Sequence, residues 1–212
     1  KRQPARWYMH CDREGILVWQ DLPSPNLPSG YEDYAKKNFE DESKRIITAF
    51  RNHPSIIQWV VFNEGWGQFD TERMTQIVIS EVGQSLVCCA SGWVDAPIGD
   101  IKDSHSYPNP SCPLDETRAG VCGEYGGITL KVQGHIWPGG DFQYTTVETG
   151  KDFTVLFNNL ADKVIDHYYY GLNAAVYTQL SDVEIEKNGI YTYDRRVLKP
   201  YSATGELKTK IE

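Results

Sequence analysis

Two stretches of this sequence set a carboxylate where chemistry is most readily done. In RNHPSIIQWVVFNEGWGQ, residues 51–68, an apolar run of Ile56, Ile57, Trp59, Val60, Val61 and Phe62, broken only by Gln58, ends in Asn63 and Glu64. β-Branched and aromatic residues in unbroken series read as a strand buried on both faces of a parallel sheet. The ends of such strands are where α/β proteins hold their ligands. A buried strand has no structural need of a carboxylate at its tip. On this stretch alone a solvated loop residue, or a partner for an arginine, is an equal reading of Glu64. In GVCGEYGG a second short strand, Gly120–Tyr125, carries Glu124 near its end and is followed by Gly126 and Gly127.

Two carboxylates at the ends of buried strands on the same rim suggest glycoside hydrolysis. One carboxylic acid protonates the leaving oxygen while the other attacks the anomeric carbon, and a separation of about 5–5.5 Å gives retention of configuration. Their protonation states must then be held apart, one carboxyl protonated and the other ionised.

The elements that position them can be read in order. Ala5–Glu14 has helical spacing, with Trp7, Tyr8 and Cys11 able to share a face and Gly15 as a stop. A short strand is expected over Ile16–Trp19, with Asp21 at its tip, then a loop rich in Pro, Ser and Gly to about Gly30. Tyr31–Asn52 is helical, with Phe39, Ile46, Ile47 and Phe50 on its apolar side, and leads into the first stretch. After Glu64, Thr71 and Glu72 can cap a helix to about Gln84, and Leu86–Ala90 is the next strand, followed by Ser91, Gly92 and Trp93. Asp100–Tyr107 is another, with His105 and Tyr107 near its end. A long loop follows Gly127, then a helix from about Asp152 to Tyr170 and a strand at Ala174–Thr178. Ile190–Leu198 reads as a terminal strand or an irregular arm. Six strands with intervening helices define an α/β chain, and this pattern alone fits an open doubly wound sheet or part of a (β/α)8 TIM-barrel-type domain equally.

Composition removes several function classes. A net charge of −8 argues against a nucleic-acid partner, which calls for a basic face. No apolar run approaches the ~18 residues of a membrane span. Neither nucleotide-binding glycine motif occurs, so no dinucleotide cofactor is expected. The five cysteines are odd in number and include no C-x-x-C pair, which gives neither a disulfide framework nor a zinc site. Cys88, Cys89 and Cys122 read as small buried strand residues. Asp182 and Glu184 read as solvated or ion-paired, and no catalytic metal or other cofactor is expected. With 6 Trp and 13 Tyr, the chain has aromatic residues enough for sugar stacking or for an aromatic core.

These residues carry a resemblance. RNHPSII…FNEGWGQ resembles the strand-four signature of the catalytic barrel of glycoside hydrolase family 2, GEYGG its nucleophile strand, and YTQLSDVEIEKNGIYTYDRR the segment at and after strand eight. RWYMHCDREGILVWQDLPS resembles the second helix and third strand, so residues 1–212 look like the C-terminal part of that barrel, about strands three to eight. The resemblance implies a retaining β-glycosidase, exo-acting in the sense of removing a terminal sugar and β-galactosidase-like, acting on a β-linked oligosaccharide or glycoside. A non-catalytic carbohydrate-binding barrel, or an endo-glycanase of the same clan, are the alternatives. By position, Glu64 matches the general acid/base and Glu124 the nucleophile, with reversed roles the main alternative. Asn63 matches the asparagine that bonds the sugar 2-hydroxyl. His105 and Tyr107 match groups that orient the nucleophile or touch sugar, and Trp66 and Trp93 offer indole faces to a sugar ring. Tyr177 stands where the family commonly has tryptophan. Upstream β-sandwich domains and strands one and two are expected to be absent, which would leave sheet edges open to self-association and this fragment weak or inactive by itself. The family favours a periplasmic or secreted location.

Overall fold

The computed structural model describes residues 2–24 and 33–200. The expected loop as far as Gly30, and the helix start at Tyr31, lie outside the described residues. The chain divides into two compact units, one reaching to Asp103 and including Asp115–Ala119, the other made of Ser104–Leu114 and the residues from Gly120 onward.

The first unit opens with helix α1, Ala5–Glu14, which buries Tyr8 and Cys11 and is closed by Gly15 in the left-handed conformation. Trp7 leaves the expected shared face: it is largely exposed and meets the Tyr8 ring only edge-on. Strand β1 is Val18–Asp21 and not Ile16–Trp19. The Ile16 amide still bonds to the Cys11 carbonyl, so Ile16 and Leu17 are spent on leaving the helix, and both are exposed. Asp21 is thereby the last residue of the strand. Helix α2, Asp33–Phe50, buries Phe39, Ser43, Ile46, Ile47 and Phe50, a stripe at helical spacing.

Strand β2, Ile56–Asn63, is central in a sheet ordered β1-β2-β3, with both neighbours parallel to it. Its middle is buried on both faces, as the apolar run requires, and Gln58 is buried along with it. The RNHPS lead-in is a clip: Asp12 accepts from His53 Nδ1 at 2.6 Å and from the Ser55 amide at 3.0 Å, tying α1 to the start of β2. Helix α3, Thr71–Val82, ends at Gly83, short of Gln84. Asp70, not Thr71, is its N-cap residue. Strand β3, Leu86–Ser91, places Ser91 beside Asn63. The core of this unit gathers Trp59, Phe62, Phe39 and Phe69, with Phe39 and Phe62 stacked at 5.5 Å. Arg118 is clamped between Asp95 at 2.7 Å and Asp115 at 2.9 Å.

Strand β4, Ile101–Ser106, crosses the division between the units. It belongs to a sheet ordered β4-β5-β8, in which β5 is Ala119–Gly126 and β8 is Ala174–Thr178, parallel to each other. The stretch expected to be a long loop contains two short strands, β6 at Ile128–Thr129 and β7 at Thr145–Thr146, paired in parallel. Two residues each are too few to leave a periodic pattern. Eight strands are thus described where six were expected. Helix α4, Gly150–Tyr169, begins one residue past Thr149, whose hydroxyl accepts from the Asp152 amide as a cap. Its buried Phe153, Leu160 and Val164 pack with Cys122, Tyr125, Ile128, Leu130 and Leu172. Ile190–Leu198 is an irregular arm with isolated bridges at Tyr191. It is anchored by Lys199, buried and bonded to the equally buried Asp182 at 2.5 Å, whereas Glu184 is exposed. Cys88, Cys89 and Cys122 are buried, as expected, and none of the three is in a disulfide. No helix among the described residues is long and apolar enough to cross a membrane.

Candidate active site

In the first unit, the end of β2 is shaped by the backbone. The Glu64 amide bonds to the Ser91 carbonyl at 2.8 Å, extending the β2–β3 ladder one residue past Asn63. Glu64 then takes φ 54° and Gly65 φ 77°, two left-handed residues in succession, and the Trp66 amide closes a turn on the Asn63 carbonyl at 3.1 Å. A left-handed conformation costs a residue with a Cβ roughly 1–2 kcal/mol, so Glu64 holds a backbone that glutamate does not choose. Gly65 also has no room for a side chain, since a Cβ there would lie 2.7 Å from Val94 Cγ2.

Asn63 is oriented by its neighbour on β3. The Ser91 hydroxyl donates to Asn63 Oδ1 at 2.6 Å, which commits the amide oxygen and turns the NH2 group to donate. Ser91 carried no role in the sequence reading, although its place at the tip of the adjacent strand is the signal that marks Asn63 itself. Trp66 and Trp93 follow the ends of β2 and β3 and are 44% and 61% exposed, so both indoles are surface groups in this unit.

In the second unit, β5 and the end of β4 bring Glu124, His105 and Tyr107 together. Tyr107 Oη donates to Glu124 Oε2, and His105 Nδ1, on a buried ring, lies 3.5 Å from the same oxygen. Burial, and then the Glu124 charge, push the Tyr107 phenol well above its usual range, so it stays protonated and remains a donor. A carboxylate that accepts from a buried phenol is favoured in its ionised form.

The Tyr107 ring is itself fixed. Tyr144 stacks on it with centroids 3.7 Å apart and planes within 9°, and Phe142 meets Tyr144 edge-on at 5.0 Å. Gly127, at φ 63°, lies against both tyrosines: a Cβ would fall 2.5 Å from Tyr144 Cδ2 and 3.0 Å from Tyr107 Cδ1. Gly126, at φ 99°, lies under the Tyr177 ring, where a Cβ would come within 2.3 Å of Cε2. The two glycines after Glu124 therefore let aromatic rings close over the strand end. Tyr177 packs edge-on against Tyr125 at 5.6 Å and Phe157 at 4.8 Å, and so forms a wall of the second core. Thr178, next to it, places Oγ1 3.0 Å from Tyr107 Oη. Neither Thr178 nor Tyr144 was marked by the sequence, Thr178 being one more polar residue at a strand end and Tyr144 lying in a loop without pattern.

No family model matches the chain. It is 32% identical over 71 residues to beta-mannosidase B of Emericella nidulans, a match that covers 32% of this chain and 8% of that protein. It is 27% identical over 124 residues to the beta-galactosidase large subunit of Lactobacillus acidophilus, covering 49% of this chain and 19% of the relative. Its fold matches the GH2 beta-galacturonidase of Eisenbergiella tayi with a TM-score of 0.64 at 16% identity, over 90% of this chain and 40% of that one. The chain thus spans well under half the length of the proteins it matches, and the resemblance to glycoside hydrolase family 2 is borne out for that part.

Proposed function

We propose, for a chain related in sequence to β-glycosidases and in fold to a family 2 glycoside hydrolase, that the whole protein hydrolyses β-linked glycosides with retention, Glu124 acting as nucleophile and Glu64 as general acid/base. The observation that carries this reading is the Tyr107 hydroxyl donating to Glu124. A nucleophilic carboxylate must be ionised and aimed, and a protonated phenol beside it serves both needs. It also favours this assignment of roles over the reverse one.

In the first step a Glu124 oxygen attacks the anomeric carbon while Glu64 gives its proton to the leaving glycosidic oxygen, and the C–O bond to the aglycone breaks. In the second, Glu64 takes a proton from water, that water's oxygen attacks the same carbon, and Glu124 departs as carboxylate. Asn63, with its NH2 group turned to donate, is suited to the sugar 2-hydroxyl. Trp66, Trp93, His105 and Tyr177 complete the proposed substrate-binding set.

We take the chain to be part of a (β/α)8 barrel, from about the third strand onward, with exo action on a terminal sugar. β-Galactosides are the first substrates to try, and the mannosidase and galacturonidase among the matched proteins make β-mannosides and β-galacturonides the next. The test is a panel of aryl β-glycosides offered to the whole protein, with the anomer first formed read by NMR. A β-anomer as first product, and its loss in Glu124→Gln, are expected. Release of the α-anomer, or ligand binding without turnover, would point to an inverting enzyme or a carbohydrate-binding barrel.

A further inference from the structure

The second unit holds a hydroxyl that the proposed reaction does not use. Thr178, the last residue of β8, sets Oγ1 3.0 Å from Tyr107 Oη, in register with Gly126 on β5. Proton counting fixes the direction of this contact. Tyr107 has one hydroxyl hydrogen, and the Glu124 carboxylate can only accept, so that hydrogen goes to Glu124. The Thr178 hydroxyl must then donate to the phenolic oxygen.

From this geometry we infer that Thr178 is a positioning residue for Glu124, acting through Tyr107. A phenolic O–H lies near its ring plane and can turn to either of two sides. With the ring clamped by Tyr144 and Gly127, a donor on one side leaves only the other for the hydrogen, and that side holds the carboxylate. A phenol that accepts one hydrogen bond also donates a stronger one. Thr178 therefore selects the phenol rotamer and strengthens the bond that aims Glu124. The role rests on the proposed assignment of Glu124, while the hydrogen-bond chain itself does not require that assignment.

The test uses Thr178→Val, nearly the same shape without the donor, and Thr178→Ser, which restores it. The Tyr107 hydroxyl proton, assigned by its loss in Tyr107→Phe, is followed by NMR together with its exchange with water. Thr178→Val is expected to move this resonance and speed its exchange, and Thr178→Ser to return both toward wild type. On an aryl β-glycoside, Thr178→Val is expected to lower kcat roughly fivefold, the scale of one neutral hydrogen bond, with KM nearly unchanged. An unchanged resonance and exchange rate in Thr178→Val would overturn the inference, as would a serine variant no better than valine. If wild type turns over no glycoside, the proposed function fails, but the proton signal still decides the role of Thr178.

Discussion

The strand ends after β2 and β5 each present a glutamate, and they hold it by opposite means. At Glu64 the backbone does the work: two left-handed residues in succession, a ladder bond to Ser91, and a glycine with Val94 against it. At Glu124 the side chains do it, through Tyr107, His105, Thr178 and the stacked Tyr144. Phenol donation favours the ionised state of Glu124, which suits a nucleophile.

The sharpest break in this comparison comes from removing each carboxylate in turn. Glu124→Gln is expected to cost on the order of 10⁵-fold in kcat, the scale seen when a nucleophile is lost, whatever the leaving group. Glu64→Gln is expected to cost about 10²–10⁴-fold on a poor leaving group and far less on an activated aryl glycoside, which departs without a proton. Equal losses on both substrates would erase the distinction between the two ends.

Tyr107→Phe comes next. It deletes a hydrogen bond to a charged group, worth about 1.5–3 kcal/mol, so a roughly 10- to 100-fold fall in kcat/KM is expected with the fold intact. Gly127→Ala should act on stability first. Its left-handed backbone and the two rings against it predict a loss of about 1–3 kcal/mol, read as a lower Tm by calorimetry. Unchanged stability there would mean that the Tyr107–Tyr144 stack is not tightly seated.

The smallest expected effect belongs to the helices beside β2. Glu40 on α2 accepts from Lys44 at 2.7 Å and from Arg73 on α3 at 2.8 Å, and these bonds, that to Lys44 foremost, hold its carboxyl down to about 2. Because the folded value lies below the unfolded one of ~4.3, the stabilisation is fully present above ~4.3 and is lost as pH falls through about 2. Glu40→Gln should thus differ from wild type by within about 1 kcal/mol at neutral pH, and the difference should shrink below pH ~4 in acid unfolding curves.

What the sequence made legible followed from local pattern. The doubly buried β2 is announced by its apolar run, and both glutamates by standing where that kind of strand ends. The glycines after Glu124 were visible, but their reason was not, because Gly127 answers to Tyr144, seventeen residues on and inside a stretch without periodicity. Thr178 was hidden for the same cause, since its partner is seventy-one residues away. Ile16 and Leu17 misled because β-branched and leucine residues after a glycine stop read as strand, while the helix exit consumed both. Trp7 misled because a face inferred from spacing does not say which neighbour arrives to cover it.

The central claim, that Glu124 is the nucleophile and Glu64 is not, is tested most directly by trapping the covalent intermediate. A 2-deoxy-2-fluoro β-glycosyl fluoride of the preferred sugar slows release of the glycosyl-enzyme, and mass spectrometry of the digested protein then finds the labelled residue. The expected result is one added sugar, on the peptide containing Glu124 and absent from Glu124→Gln. A label on Glu64, or turnover of natural substrate with no label on either, would contradict the account.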